Sequence, residues 1–133
     1  MPDRARPTAP RGLGKEGRKL WRQIQDAVAP DWELDERDER TLLAACQLED
    51  RLAELDAAIA AEGLMVAGSR GQRVLHPAAQ ESRQVTLAQH KLLAGVELAD
   101  PAAAHKREPM SSQRARRAAE ARHGTRNGLQ AVG

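Results

Sequence analysis

The 133-residue chain has no phenylalanine, no tyrosine and only two tryptophans, Trp21 and Trp32. Aromatic rings dominate the buried area of most cores, so the core must be built from aliphatic side chains and must be thin. The 41% apolar content overstates the material available, because 25 of those residues are alanine. Cysteine is nearly missing: with Cys46 alone, no internal disulfide can form. Long apolar runs are missing too. Nothing approaches the ~18 consecutive apolar residues that cross a bilayer, and the N-terminal MPDRARPTAPRG lacks the apolar segment of a secretion signal. With 30% charged residues and a mean hydropathy of −0.64, the expectation is a water-soluble, cytoplasmic, single-domain protein with tails.

Catalytic and metal-binding patterns are also scarce. The histidines stand at 76, 90, 105 and 123, too far apart for a paired metal motif, and no Cys-x-x-Cys exists. Neither metal nor cofactor is expected, and no catalytic residue is assigned. The cluster Asp35, Glu36, Asp38 and Glu39 reads as surface charge complementing a helix N-terminus rather than as an acid–base pair. Gly12-x-Gly14-x-x-Gly17 has the spacing of a dinucleotide fingerprint, but no strand precedes it, so the match reads as coincidence. Cys46, on the apolar side of a helix, reads as a core filler. Trp21 reads as a core anchor, while the role of Trp32 stays open.

Charge is present in both signs but unevenly placed. Net charge is +2. Residues 1–19 carry six basic and two acidic side chains, residues 20–64 four and twelve, residues 65–100 four and three, and residues 101–133 seven and two. Basic ends flank an acidic middle. Such arms suit a polyanion, most commonly nucleic acid, while the middle suits protein.

Periodicity supplies the elements. Residues 1–12, with three prolines and three arginines, read as a flexible basic arm, with order starting near Leu13. Leu20, Trp21, Ile24, Ala27 and Val28 draw one helical stripe from Lys15 until Pro30 stops it. Asp35 and Asp38 form a start signal for a long helix of about 27 residues. Its stripe is Leu42, Ala45, Leu48, Leu52, Leu55 and Ile59, and Gly63 ends it. Leu64-Met65-Val66, a turn at Gly68-Ser69-Arg70-Gly71, then Val74-Leu75 predict a short β-hairpin. His76-Pro77 restarts helix, with Val85, Ala88, Leu92 and Val96 as its buried stripe and Leu93 beside it. Asp100-Pro101 caps a short Ala-rich piece reaching Arg107. The remaining tail can cap at Ser111 or Ser112 but has no apolar stripe, and reads as disordered when alone.

The predicted fold is mainly α: an antiparallel helical hairpin core with a short first helix, a small β-hairpin between the long helices, and flexible basic termini. Residues 1–12 form the arm, 13–107 the helical oligomerisation domain, and 108–133 the basic tail. So few large apolar side chains cannot enclose two long helices from all sides, which predicts a homo-oligomer with Leu48, Leu52, Leu55 and Ile59 as the assembly stripe. Candidate phosphate contacts are Arg4, Arg6, Arg11, Lys15, Arg18 and Lys19 at one end, and Lys106, Arg107, Arg114, Arg116, Arg117, Arg122 and Arg126 at the other. Arg70 and Arg73 at the hairpin tip are weaker candidates. A structural adaptor whose basic tails serve only solubility, with no DNA role, is the alternative.

The order of elements carries a resemblance. A Pro-rich basic arm, Leu13, Leu20-Trp21 on a first helix, Leu42-Leu43 and Cys46 on a long one, Gly63, a hairpin bearing Gly71, His76-Pro77 and a last helix ending near Leu98 together resemble the small subunits of tailed-bacteriophage terminases. The likeness covers roughly residues 9–107. The family usually has Asn before that proline, so His76 departs from it while preserving a turn-to-helix start; the tail matches nothing specific. The resemblance implies a non-catalytic subunit in the bacterial host cytoplasm that assembles into a ring and binds viral double-stranded DNA at packaging initiation. It also implies recruitment and regulation of a terminase large subunit that carries the ATPase motor and nuclease.

Overall fold

The computed structural model describes residues 5–104 together with Arg117. The chain divides into two units, residues 1–99 and 100–133. In the first, α1 (Lys15–Ala27), α2 (Glu36–Glu62), β1 (Met65–Ala67), β2 (Arg73–Leu75) and α3 (Pro77–Ala94) follow in order; in the second, α4 spans Pro101–Ala104. The architecture is the predicted one, a helical hairpin with a two-stranded ribbon at its turn.

Local chemistry sets these boundaries. The Asp35 side chain accepts from the Asp38 N–H (2.7 Å), and Glu36, Asp38 and Glu39 add negative charge to the first turn of α2, where the helix dipole favours it. The helix runs 27 residues, about 40 Å at 1.5 Å per residue. It stops where Gly63 takes φ +86° and donates its N–H to Ile59 O, a left-handed conformation that costs glycine little. Ribbon pairing is antiparallel, Met65 to Leu75, Val66 to Val74 and Ala67 to Arg73. The two valines are half-buried, and Met65, Ala67, Arg73 and Leu75 are exposed, following the two-residue alternation of strands. At the start of α3, Pro77 occupies the first turn and His76 Nδ1 accepts from the Ala78 N–H (3.0 Å). His76 Nε2 lies 3.3 Å from Glu62 Oε2, close enough for an ion pair though not aligned for a hydrogen bond.

The core lies where α1 crosses the N-terminal half of α2. Leu13, Trp21, Leu42 and Cys46 form it, with Ala9, Leu20, Ile24, Leu34, Leu43 and Leu93 packed around them. Leu42, Ala45 and Cys46 are fully buried. The cluster is small, with Trp21 as its single aromatic ring, as the composition requires.

Four sequence expectations need correction. Order begins before Leu13: Pro7 O accepts from Trp21 Nε1 (3.0 Å), Ala9 packs on the core, and Arg6 donates to the Gln25 and Val28 carbonyls. On α1, Ala27 is exposed while Gln25 is buried. On α3, Ala88 is exposed and Gln89 is buried in its place. Gln89 Nε2 donates to Ala45 O (3.2 Å) and to the Glu49 carboxylate, so a polar side chain holds a seam position that an apolar pattern assigns to its neighbour. Finally, α3 ends at Ala94 rather than near Leu98. The carbonyls of Glu97 and Leu98 instead accept from Trp32 Nε1 (2.9 Å) and the Ala29 N–H (2.7 Å), tying the end of the hairpin to the α1–α2 connection. In the second unit, Asp100 Oδ1 accepts from the Ala102 N–H (2.9 Å), the predicted cap. The tail helix starting at Ser111 or Ser112 lies outside the described residues.

Candidate nucleic-acid interface

Helix α1 carries the basic face, and its placement begins with a carboxylate. Asp50, on α2, accepts the Gly14 N–H on Oδ2 (2.6 Å) and the Gly17 N–H on Oδ1 (2.8 Å). These first-turn donors have no partner within their own helix, and a carboxylate there also complements the dipole. Close approach explains the glycines. A Cβ on Gly17 would lie 2.4 Å from Asp50 Oδ2 and 2.7 Å from the backbone oxygen of Cys46, and one on Gly14 would lie 2.7 Å from Asp50 Oδ1. The fingerprint-like spacing thus does mark an anion-binding helix N-terminus, and the anion is the protein's own.

Arg6 secures the other end of α1. Its guanidinium donates to the Gln25 and Val28 carbonyls and its Nε lies 3.8 Å from Asp26 Oδ1. A cation on the last carbonyls of a helix is favourably placed. Arg6 therefore serves as a cap in addition to any role toward a ligand.

Of the remaining basic candidates, Arg11, Lys15, Arg18 and Lys19 are exposed along the start of α1, and Arg117 is exposed in the second unit. Arg4, Lys106, Arg107, Arg114, Arg116, Arg122 and Arg126 lie outside the described residues. Arg70 and Arg73 are exposed on the hairpin. Sequence reading missed Arg22, which is exposed on α1 and continues the row of Lys15 and Arg18 at helical spacing. That spacing was the available signal; Arg22 falls among the acidic residues of the segment count and was averaged away there. Lys15, Arg18 and Arg22 line a cleft of about 520 Å³ together with Arg6, Gln25 and Asp26. Among the described residues, no carboxylate pairs with Lys15, Arg18 or Arg22.

The proposed assembly stripe is partly used within the chain: Leu48, Leu52, Leu55 and Ile59 are all half-buried. Larger apolar exposure occurs elsewhere, at Leu64 (56%), Met65, Leu75 and Leu87 (71%).

Cys46 is fully buried, and burial, followed by the nearby charges of Asp50 and Glu49, pushes its thiol up to about 12. A thiol held protonated is a poor nucleophile. Among the described residues no three His, Cys, Asp or Glu side chains group as metal ligands, and no helix is long and apolar enough to cross a membrane.

A family model described as "Phage terminase, small subunit" matches residues 17–122. No curated protein and no solved structure matches the chain.

Proposed function

The chain belongs to the phage terminase small-subunit family, whose role is phage DNA packaging, and from that premise we propose that it is a non-catalytic subunit that binds viral duplex DNA at packaging initiation. It then recruits or regulates the large subunit that carries the ATPase and nuclease. It works in the host cytoplasm as a homo-oligomer, in a ring, with residues 13–107 as the oligomerising and DNA-packaging domain, residues 1–12 as a basic arm and residues 108–133 as a basic tail.

The supporting observation is the segregation of charge. Exposed Lys15, Arg18 and Lys19 lie on one helix with Arg11 in the turn before it, whereas the acidic residues concentrate on and before α2. A basic face of this kind attracts phosphates without reading sequence. Leu48, Leu52, Leu55 and Ile59, half-buried within one chain, become fully covered on assembly. The exposed apolar hairpin residues favour a second reading, a protein-bridging adaptor with no DNA role.

Binding to a labelled duplex across a salt series tests the proposal. Charge reversal at Arg114, Arg116 and Arg117 is expected to weaken binding and to lower the slope of log K against log [salt] by roughly 2 to 3, near 0.9 for each phosphate that is no longer neutralised. Unchanged affinity removes the tail from the mechanism. Absence of any complex at low salt favours the adaptor, and light scattering that returns a strict monomer at micromolar concentration removes the ring.

A further inference from the structure

We infer that the cleft beside α1 is a seat for a phosphate group, held by Lys15, Arg18, Arg22 and the side-chain amide of Gln25. The inference rests on the DNA-binding reading only for the biological source of that phosphate. The cleft measures about 520 Å³, within the usual ~300–1,000 Å³ of ligand sites and roomy enough for a phosphate with the sugar beside it. One side is the strap of residues 6–9 and the other is α1.

Its electrostatics point one way. Asp26 is the one carboxylate among the lining residues, and it lies against Arg6, 3.8 Å away, so those two charges offset each other. Lys15, Arg18 and Arg22 remain, all exposed and unpaired among the described residues, on one helical row at spacings of three and four, where like charges repel. Beside them Gln25 is 4% exposed, and its Nε2 has no hydrogen-bond partner. Buried amide groups are nearly always satisfied. Lys15, Arg18 and Arg22 offer only donors and the unpartnered atom of Gln25 is a donor, so the ligand they lack is an acceptor with several oxygens and more than one negative charge. A phosphate meets that description better than a carboxylate, since each guanidinium can take two of its oxygens. The N-terminal N–H groups of α1 are not part of the seat, because Asp50 already occupies those of Gly14 and Gly17.

Two sources supply this chemistry: the phosphodiester backbone of duplex DNA and free inorganic phosphate. The test uses the full chain, a double variant Arg18→Ala/Arg22→Ala, and a variant of equal charge loss on α2, Arg37→Ala/Arg51→Ala. In the first arm, thermal unfolding is compared in phosphate and in chloride at matched ionic strength; the wild type gains stability from phosphate and the α1 variant loses that gain. In the second arm, duplex affinity falls roughly tenfold or more in the α1 variant and its salt slope drops by about 2, while the α2 variant keeps both.

A response in either arm that is confined to the α1 variant supports the seat, and the arm that responds identifies the source. If the wild type binds duplex and the α1 variant matches it in both arms, the seat is overturned and the DNA-binding reading stands. If the wild type binds no duplex, that reading fails and the phosphate arm alone decides the seat.

Discussion

A carboxylate that receives two backbone N–H groups fixes position as well as charge, and Asp50 fixes α1 in this way through Gly14 and Gly17. Replacing Asp50 with Ala leaves both donors without their acceptor, and chemical denaturation is expected to show a loss of about 1–3 kcal/mol. Gly17→Ala drives a methyl against backbone as well as side chain, with a similar expected cost of about 1–3 kcal/mol from overpacking. A variant of either kind with wild-type stability would show that α1 is held by its core contacts alone. Cys46 makes a pH-dependent contribution. Its thiol is raised from 9.0 to about 12 in the fold, so the native state holds a proton that the unfolded chain releases. Stability from this group is complete below pH 9 and is lost as pH rises toward 12, at up to about 1.4 kcal/mol per pH unit. Cys46→Ala removes that component, which unfolding curves at pH 8 and 10 would reveal as a shallower decline than in the wild type. At this scale the sequence was not readable. The glycine spacing read as coincidence, because nothing in a linear pattern says that a carboxylate 33 positions away from Gly17 meets the N-terminus of α1.

Elements were legible wherever caps and period agreed. Asp35, Gly63 and His76-Pro77 each mark a boundary by chemistry local to the chain, and the structure places α2 and α3 accordingly. The end of α3 was not legible, because it is set by tertiary bonds. Leu98 O and Glu97 O serve Ala29 and Trp32, and no helical pattern encodes that demand. Gln25 and Gln89 escaped for a related reason: apolar stripes count greasy residues, whereas both positions bury an amide, that of Gln89 bonded to Ala45 O and the Glu49 carboxylate and that of Gln25 with its Nε2 unpartnered. Trp32→Phe keeps a ring at the connection and deletes its donor to Glu97 O. The expected cost is about 0.5–1.5 kcal/mol, accompanied by faster amide exchange at Ala29, whose N–H is bonded to Leu98 O. Unaltered exchange there would mean that the tie depends on the Ala29 bond alone.

Across the whole molecule, the composition correctly foretold a thin core, and the structure shows where it is thin. Among the described residues, full burial is confined to the stretch of α2 crossed by α1, at Leu42, Ala45 and Cys46; from Leu48 onward the stripe is only half covered. The site was partly legible. Basic residues of α1 were identified by charge segregation, whereas Arg22 and the cleft needed the strap of residues 6–9, which the proline-rich composition assigned to solvent. One consequence follows from the unbroken course of α2. From Cys46 to Gly63 it advances about 25 Å at 1.5 Å per residue, carrying the ribbon with its bare Leu64, Met65 and Leu75 well away from the cationic helix. On the proposed reading the helix is a spacer strut, so DNA held at the basic end leaves the ribbon clear for a second body, and neither has to give way to the other.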